Sequence, residues 1–138
     1  MIVVHLALES DWLAAVEVGS YRVSTRGLSL DAVGFIHCAT PAQVADVAGL
    51  FYADITAPLT LLELDTDRVT ASGTEVRFED AGSGESFPHL YGPIDTGWVH
   101  RVIPARMVGG RLTLLEASTT TLMDPPTPLP PEPWLDQD

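Results

Sequence analysis

An α+β domain is the fold class this sequence predicts, on three observations. Strand and helix units fill the first half, a succession of strands follows from Pro58, and no GxGxxG or GxxxxGK[ST] phosphate turn follows any strand. That order suits segregated helices and strands better than a doubly wound parallel sheet. With 138 residues, 46% of them hydrophobic and 19% charged, the chain can bury one packed core. The expected organisation is a compact domain over residues 1–121 and a separate tail over 122–138.

Ile2 to Leu6 reads as a short buried strand. Ser10 is placed to cap a helix running to about Val18, which Gly19 stops. Ser20 to Ala32 mixes Gly, Ser and Thr with Arg22 and Arg26, and reads as a loop over the surface. Gly34 to Cys38 is the next strand. Thr40 followed by Pro41 predicts a second helix start, because threonine caps free amides and proline at the first position loses no hydrogen bond. Val44, Val47, Ala48, Phe51 and Tyr52 then recur at helical spacing, so two main helices are expected in the N-terminal half. Strands are expected at Leu59 to Leu64, Glu75 to Glu79, Trp98 to Ile103 and Arg111 to Leu115. Asp65 and Asp67 read as solvated residues flanking a turn, with no calcium-loop pattern around them. Six of the eleven prolines lie between Pro125 and Pro133, so the acidic tail is expected to be polyproline-like, with docking into a partner's aromatic groove as its functional reading.

Charge narrows the partners. Nineteen acidic residues stand against seven arginines, lysine is absent, and the net charge is -12. A surface so negative repels phosphate backbones and anionic lipid at long range, which disfavours nucleic acid and membrane surfaces. Cys38 is the single cysteine, excluding an internal disulfide and a cysteine-rich zinc site. The N-terminal residues lack a signal-peptide pattern, and no apolar run reaches membrane-spanning length, so a cytoplasmic location is expected.

The chemistry centres on two histidines inside apolar runs, His37 in VGFIHCAT and His89 in SFPHLYGPI. Side chains alternate along a strand, so Phe35 and His37 share one face and Cys38 lies on the other. Cys38 therefore drops out as a partner of His37 and reads as a core thiol. Pro88, Gly92 and Pro93 restrict the backbone around His89, holding the ring in one direction for recognition or acid–base work. Each histidine is also open to a structural reading, as a core ring satisfied by backbone. Glu75, Arg77 and Glu79 share a face that is solvated in the simplest reading. Glu79 leads through a glycine-serine loop toward His89, a setting for acid–base chemistry or for binding ribose hydroxyls. His5 would meet His37 only if their strands ran side by side. No two histidines have close ligand spacing, so no metal is expected.

VVHL near the start, Trp12, GSY at 19–21, GFIHC at 34–38, Gln43, Phe51, LLELD at 61–65, Phe78-Glu79 and FPHLYGP at 87–93 together resemble the domain of unknown function 952 family. The resemblance spans roughly Ile2 to Ala105. It implies a fold similar to diphtheria-toxin-like ADP-ribosyltransferases and RNA 2'-phosphotransferases, with a split β-sheet core and NAD as the candidate cofactor. Carried over by position, it implies His5 and His37 as ribose or nicotinamide contacts and Glu79 or His89 in the role of the later-strand catalytic residue. Expected catalytic residues are thus His37, Glu79 and His89, and expected ligand contacts are His5, Arg22, Arg26 and Tyr91, the arginines for a pyrophosphate. Three functions stay open: an ADP-ribosyltransferase-like or nucleotide-binding protein acting on a small molecule, a non-catalytic binding or interaction domain, and RNA 2'-phosphate transfer, against which the acidic balance argues.

Overall fold

The computed structural model describes residues 1–80 and 82–115, so the expected boundary at 121 and the Pro-rich tail lie outside the described residues. The chain folds as β1 (Ile2–Leu8), α1 (Glu9–Val18), β2 (Ser20–Tyr21), β3 (Val23–Thr25), β4 (Leu28–Ser29), α2 (Leu30–Val33), β5 (Ile36–His37) and α3 (Val44–Phe51). It continues with β6 (Leu59–Asp65), α4 (Thr66–Ala71), β7 (Val76–Asp80), β8 (Ser86–Leu90), β9 (Ile94–Asp95), a 3₁₀ turn, β10 (Val99–Val108) and β11 (Arg111–Leu114). Among the described residues this is a mixed α+β architecture of four α-helices and antiparallel sheets.

One sheet has the order β1-β6-β10-β11 and a second β5-β8-β7. They meet where Val4 and Ala39 exchange backbone hydrogen bonds at 2.8 and 2.9 Å. β1 and β6 carry apolar residues on both faces, and both faces are buried. Val3, Ala7, Leu62 and Leu64 face Trp12 and Ala15 of α1, while Val4, Leu6, Leu59 and Leu61 face Val44, Val47, Ala48 and Tyr52. Helices thus cover the sheet's two sides, which is why these strands read as continuous apolar runs instead of alternating ones.

Several local expectations change. Ser20 to Ala32 is not a plain loop: it holds β2, the β3–β4 hairpin and the start of α2. Strands of two or three residues are too short to show periodicity, and it is the burial of Tyr21 and Ser24 that ties them down. α1 begins at Glu9, one residue before the expected cap Ser10; the Glu9 amide donates to the Pro58 carbonyl at 3.0 Å in place of a side-chain cap. α3 begins at Val44, not at Pro41, because Gln43 holds the preceding turn, its Oε1 accepting from the Thr40 amide at 3.0 Å. Asp65 does not flank a mere turn; it caps α4, accepting from the Asp67 amide at 3.0 Å. Gly19 does stop α1, with a φ of 83° that a β-carbon would strain.

Candidate functional site

The sheet β5-β8-β7 sets the site by register. His37 pairs with His89, and His89 with Arg77; two residues along, Glu79 pairs with Phe87. Side chains that pair directly across an antiparallel ladder lie on one face, so His37, His89, Arg77 and Glu79 share a surface. His37 and His89 are therefore neighbours on one wall.

A chain of hydrogen bonds runs through them. His89 Nδ1 lies 2.8 Å from Glu79 Oε1, and His89 Nε2 lies 3.3 Å from His37 Nδ1. A carboxylate only accepts, so His89 Nδ1 carries a proton; in the tautomer where that is the ring's one proton, His89 Nε2 accepts from the Nδ1–H of His37. The outer end of the chain is His37 Nε2, a lone pair in that tautomer, shielded from solvent and with no hydrogen-bond partner among the described residues. The Tyr91 hydroxyl donates to the same Glu79 oxygen at 2.5 Å, and the Arg77 guanidinium lies 4.7 Å over the Tyr91 ring. The hydrogen bonds from Tyr91 and then His89 hold the Glu79 carboxyl below its ordinary range. Burial, with His89 beside it, lowers His37 to about 4, so it is neutral at pH 7.

A cleft of about 260 Å³ opens along this wall, lined by Ser24, Thr25, Leu28, Val33, Phe35, His37, Phe51 and His89. Phe35 stacks on His89 with ring centres 3.9 Å apart and planes 14° from parallel, and Phe51 stands edge-on to His37 at 6.4 Å. The facing wall is the β3–β4 hairpin, strapped to the end of α3 by Arg26, whose guanidinium donates to the Phe51 carbonyl and to Asp54.

Of the residues singled out in the sequence, His37, Glu79, His89 and Tyr91 come together. His5 does not project beside the His37 side chain. Its Nδ1–H donates to the His37 carbonyl at 2.7 Å and its Nε2 accepts from Tyr21 Oη at 2.9 Å, so it fixes the His37 backbone from beneath. Burial lowers His5 to about 4. Arg22 pairs with Asp31 at 2.9 Å and Arg26 with Asp54, both at the surface and neither among the cleft-lining side chains. Cys38 is buried in the core, and burial pushes its thiol up, away from reactivity. Among the described residues no group of three or more His, Cys, Asp or Glu is arranged to hold a metal ion, and no helix is long and apolar enough to cross a membrane. Sequence reading missed Phe35 as a stacking partner, Phe51 as cleft lining instead of core, and Ser24. Phe35 was legible through its shared face with His37; the other two carried no local signal.

A family model described as protein of unknown function (DUF952) matches residues 6–102, more than half of the chain. The crystal structure of protein CC0527 from Caulobacter crescentus superposes with a TM-score of 0.70 at 24% identity, over 82% of this chain and 94% of that one. A double mutant of the same protein gives the same values. At that identity the likeness extends to the fold alone. No curated protein matches the sequence.

Proposed function

The chain belongs to the family described as protein of unknown function (DUF952), and from that premise we propose that the aromatic cleft takes up a small nucleotide-like molecule which His37 serves as an acid–base group. The observation that carries this reading is the buried Nε2 of His37, without a partner among the described residues, at the end of a chain that starts on Glu79. Leaving a buried acceptor without a donor costs roughly 1–3 kcal/mol. A donor on a ligand, or on a water held beside it, recovers that cost, so an orphan atom next to an aromatic cleft points to an occupant there.

The reaction class favoured within this reading is ADP-ribosyl transfer from NAD, on the ADP-ribosyltransferase-like fold that the family resemblance implies. Pockets for drug-sized ligands run to about 300–1,000 Å³, so a cleft of about 260 Å³ suits the nicotinamide ribose end and leaves the remainder outside. A neutral imidazole does not repel the positive centre that develops as nicotinamide leaves, and the Glu79 charge one ring behind favours it. The exposed Arg26–Asp54 pair is screened by solvent, so Arg26 can exchange Asp54 for a pyrophosphate, with Arg22 as the second candidate.

Calorimetry with NAD and with nicotinamide, alongside release of nicotinamide over a day, tests this. The wild type is expected to give heat and slow release; His37→Ala abolishes release, and both His37→Ala and His89→Ala weaken binding at least ~10-fold, about 1.4 kcal/mol. No heat and no release would sink the NAD reading. Heat without release would favour a non-catalytic binding domain, the second reading, which the aromatic and aliphatic lining supports.

A further inference from the structure

Two buried side-chain polar atoms lack a protein partner among the described residues, Ser24 Oγ and His37 Nε2. Both residues line the cleft, and both also line a small, partly open space of about 10 Å³ adjoining it, with Val4, Leu6, Ala39, Val44, Val47 and Tyr52. A water needs about 10–15 Å³ of such space and two or more polar partners. The space is too small for any other common ligand, and its remaining walls are mostly aliphatic. Ser24 is 1% exposed, so bulk solvent does not satisfy its hydroxyl. Tyr52, also on the wall, is already occupied: its hydroxyl donates to the Leu6 carbonyl and accepts from the Arg26 amide.

We propose that Ser24 Oγ and His37 Nε2 hold a single water molecule, and that this water is the acceptor for chemistry in the cleft. The water donates one proton to His37 Nε2 and bonds to Ser24 Oγ, lengthening the Glu79–His89–His37 chain to the hairpin. Ser24, Thr25 and His37 line both spaces, so cleft and water site share a wall. The second half of the proposal rests on the function proposed above. With a ribosyl donor in the cleft, His37 Nε2 takes a proton from the water. Its oxygen bonds to the ribosyl C1 as the C1–N bond breaks, and nicotinamide leaves with the bonding pair. Water consumed in this way makes the reaction a hydrolysis. Ser24 is a positioning residue in it.

A high-resolution crystal structure of the full chain tests the site, with wild type compared against Ser24→Val, which replaces the hydroxyl by methyl groups. Density for one water within hydrogen-bond distance of both atoms, absent in Ser24→Val, is expected. A direct Ser24–His37 hydrogen bond, or no density between them in the wild type, overturns the site. Long-range ¹H–¹⁵N spectra give a readout that does not need crystals: the His37 Nε2 resonance moves in Ser24→Val and returns in Ser24→Thr, whereas an unmoved resonance overturns the role of Ser24. Incubation with NAD in ¹⁸O-water tests the acceptor. Label at the ribosyl C1 above the level that ADP-ribose alone acquires is expected, and nicotinamide release without it overturns hydrolysis. With no release at all, hydrolysis falls together with the proposed function, while the density still decides the water site.

Discussion

Glu79 governs the protonation pattern of two histidines although it does not line the cleft. Its carboxylate fixes the proton on His89 Nδ1, and that tautomer makes His89 Nε2 an acceptor for His37. Glu79→Ala removes the anchor, so in long-range ¹H–¹⁵N spectra His89 is expected to lose its Nδ1–H form and His37 to shift with it. Spectra in which only His89 changes would show that the two rings are not coupled. His5 supports a different prediction. His5→Leu leaves the His37 carbonyl and the Tyr21 hydroxyl buried without their histidine partner, and at roughly 1–3 kcal/mol for each such group the loss is about 2–6 kcal/mol, read from urea unfolding. A loss well below 1 kcal/mol would mean that water or a rearranged backbone replaces both bonds.

Much of this residue-level arrangement was legible in the sequence. Alternation separated His37 from Cys38 and grouped Phe35 with His37, and the turn between Glu79 and His89 suggested their proximity. Register was not legible. Nothing in VGFIHCAT or SFPHLYGPI states that His37 stands opposite His89, because pairing depends on backbone partners remote in sequence. The role of His5 was missed for the same reason: β1 pairs with β6, and only an isolated bridge from Val4 to Ala39 brings it under β5.

At the level of elements, the β3–β4 hairpin and the end of α3 matter most, since they form the wall facing the histidines. Their attachment converges on Tyr52, whose hydroxyl joins the Arg26 amide on the hairpin to the Leu6 carbonyl on β1, each at 3.2 Å. Tyr52→Phe preserves the ring in the core and removes both bonds. Expected results are a loss of roughly 1–3 kcal/mol and faster amide exchange at Arg26 and its hairpin neighbours, with α1 unchanged. Exchange that rises equally everywhere would indicate global destabilisation instead of a loosened wall. The loop after β7 is anchored as well: Asp80 accepts from the Gly82 and Gly84 amides, and Gln43 donates to Glu85 and to the Ser86 carbonyl. Sequence reading treated Gln43 only as part of the family pattern, because the partners it joins lie 42 and 43 residues away.

For the whole molecule, acid stability sets two effects against each other. A net charge of -12 means self-repulsion at neutral pH, which protonation of carboxylates relieves as pH falls. His5 and His37 act in the opposite sense. Both are lowered from 6.5 to about 4 by burial, so between those values the unfolded chain binds more protons than the folded one. Their contribution is complete above pH 6.5 and is lost progressively as pH falls to about 4. A shift of that size on fully buried His5 alone corresponds to roughly 3 kcal/mol, at 1.36 kcal/mol per pH unit. Exposed carboxylates titrate lower and are screened, so the histidines dominate the upper part of this window. Urea midpoints are therefore expected to fall from pH 7 to pH 4, and the His5→Leu variant, though less stable throughout, to show a shallower decline. Parallel declines for wild type and variant would overturn the assignment to His5, and a midpoint that rises on acidification would show that charge repulsion dominates.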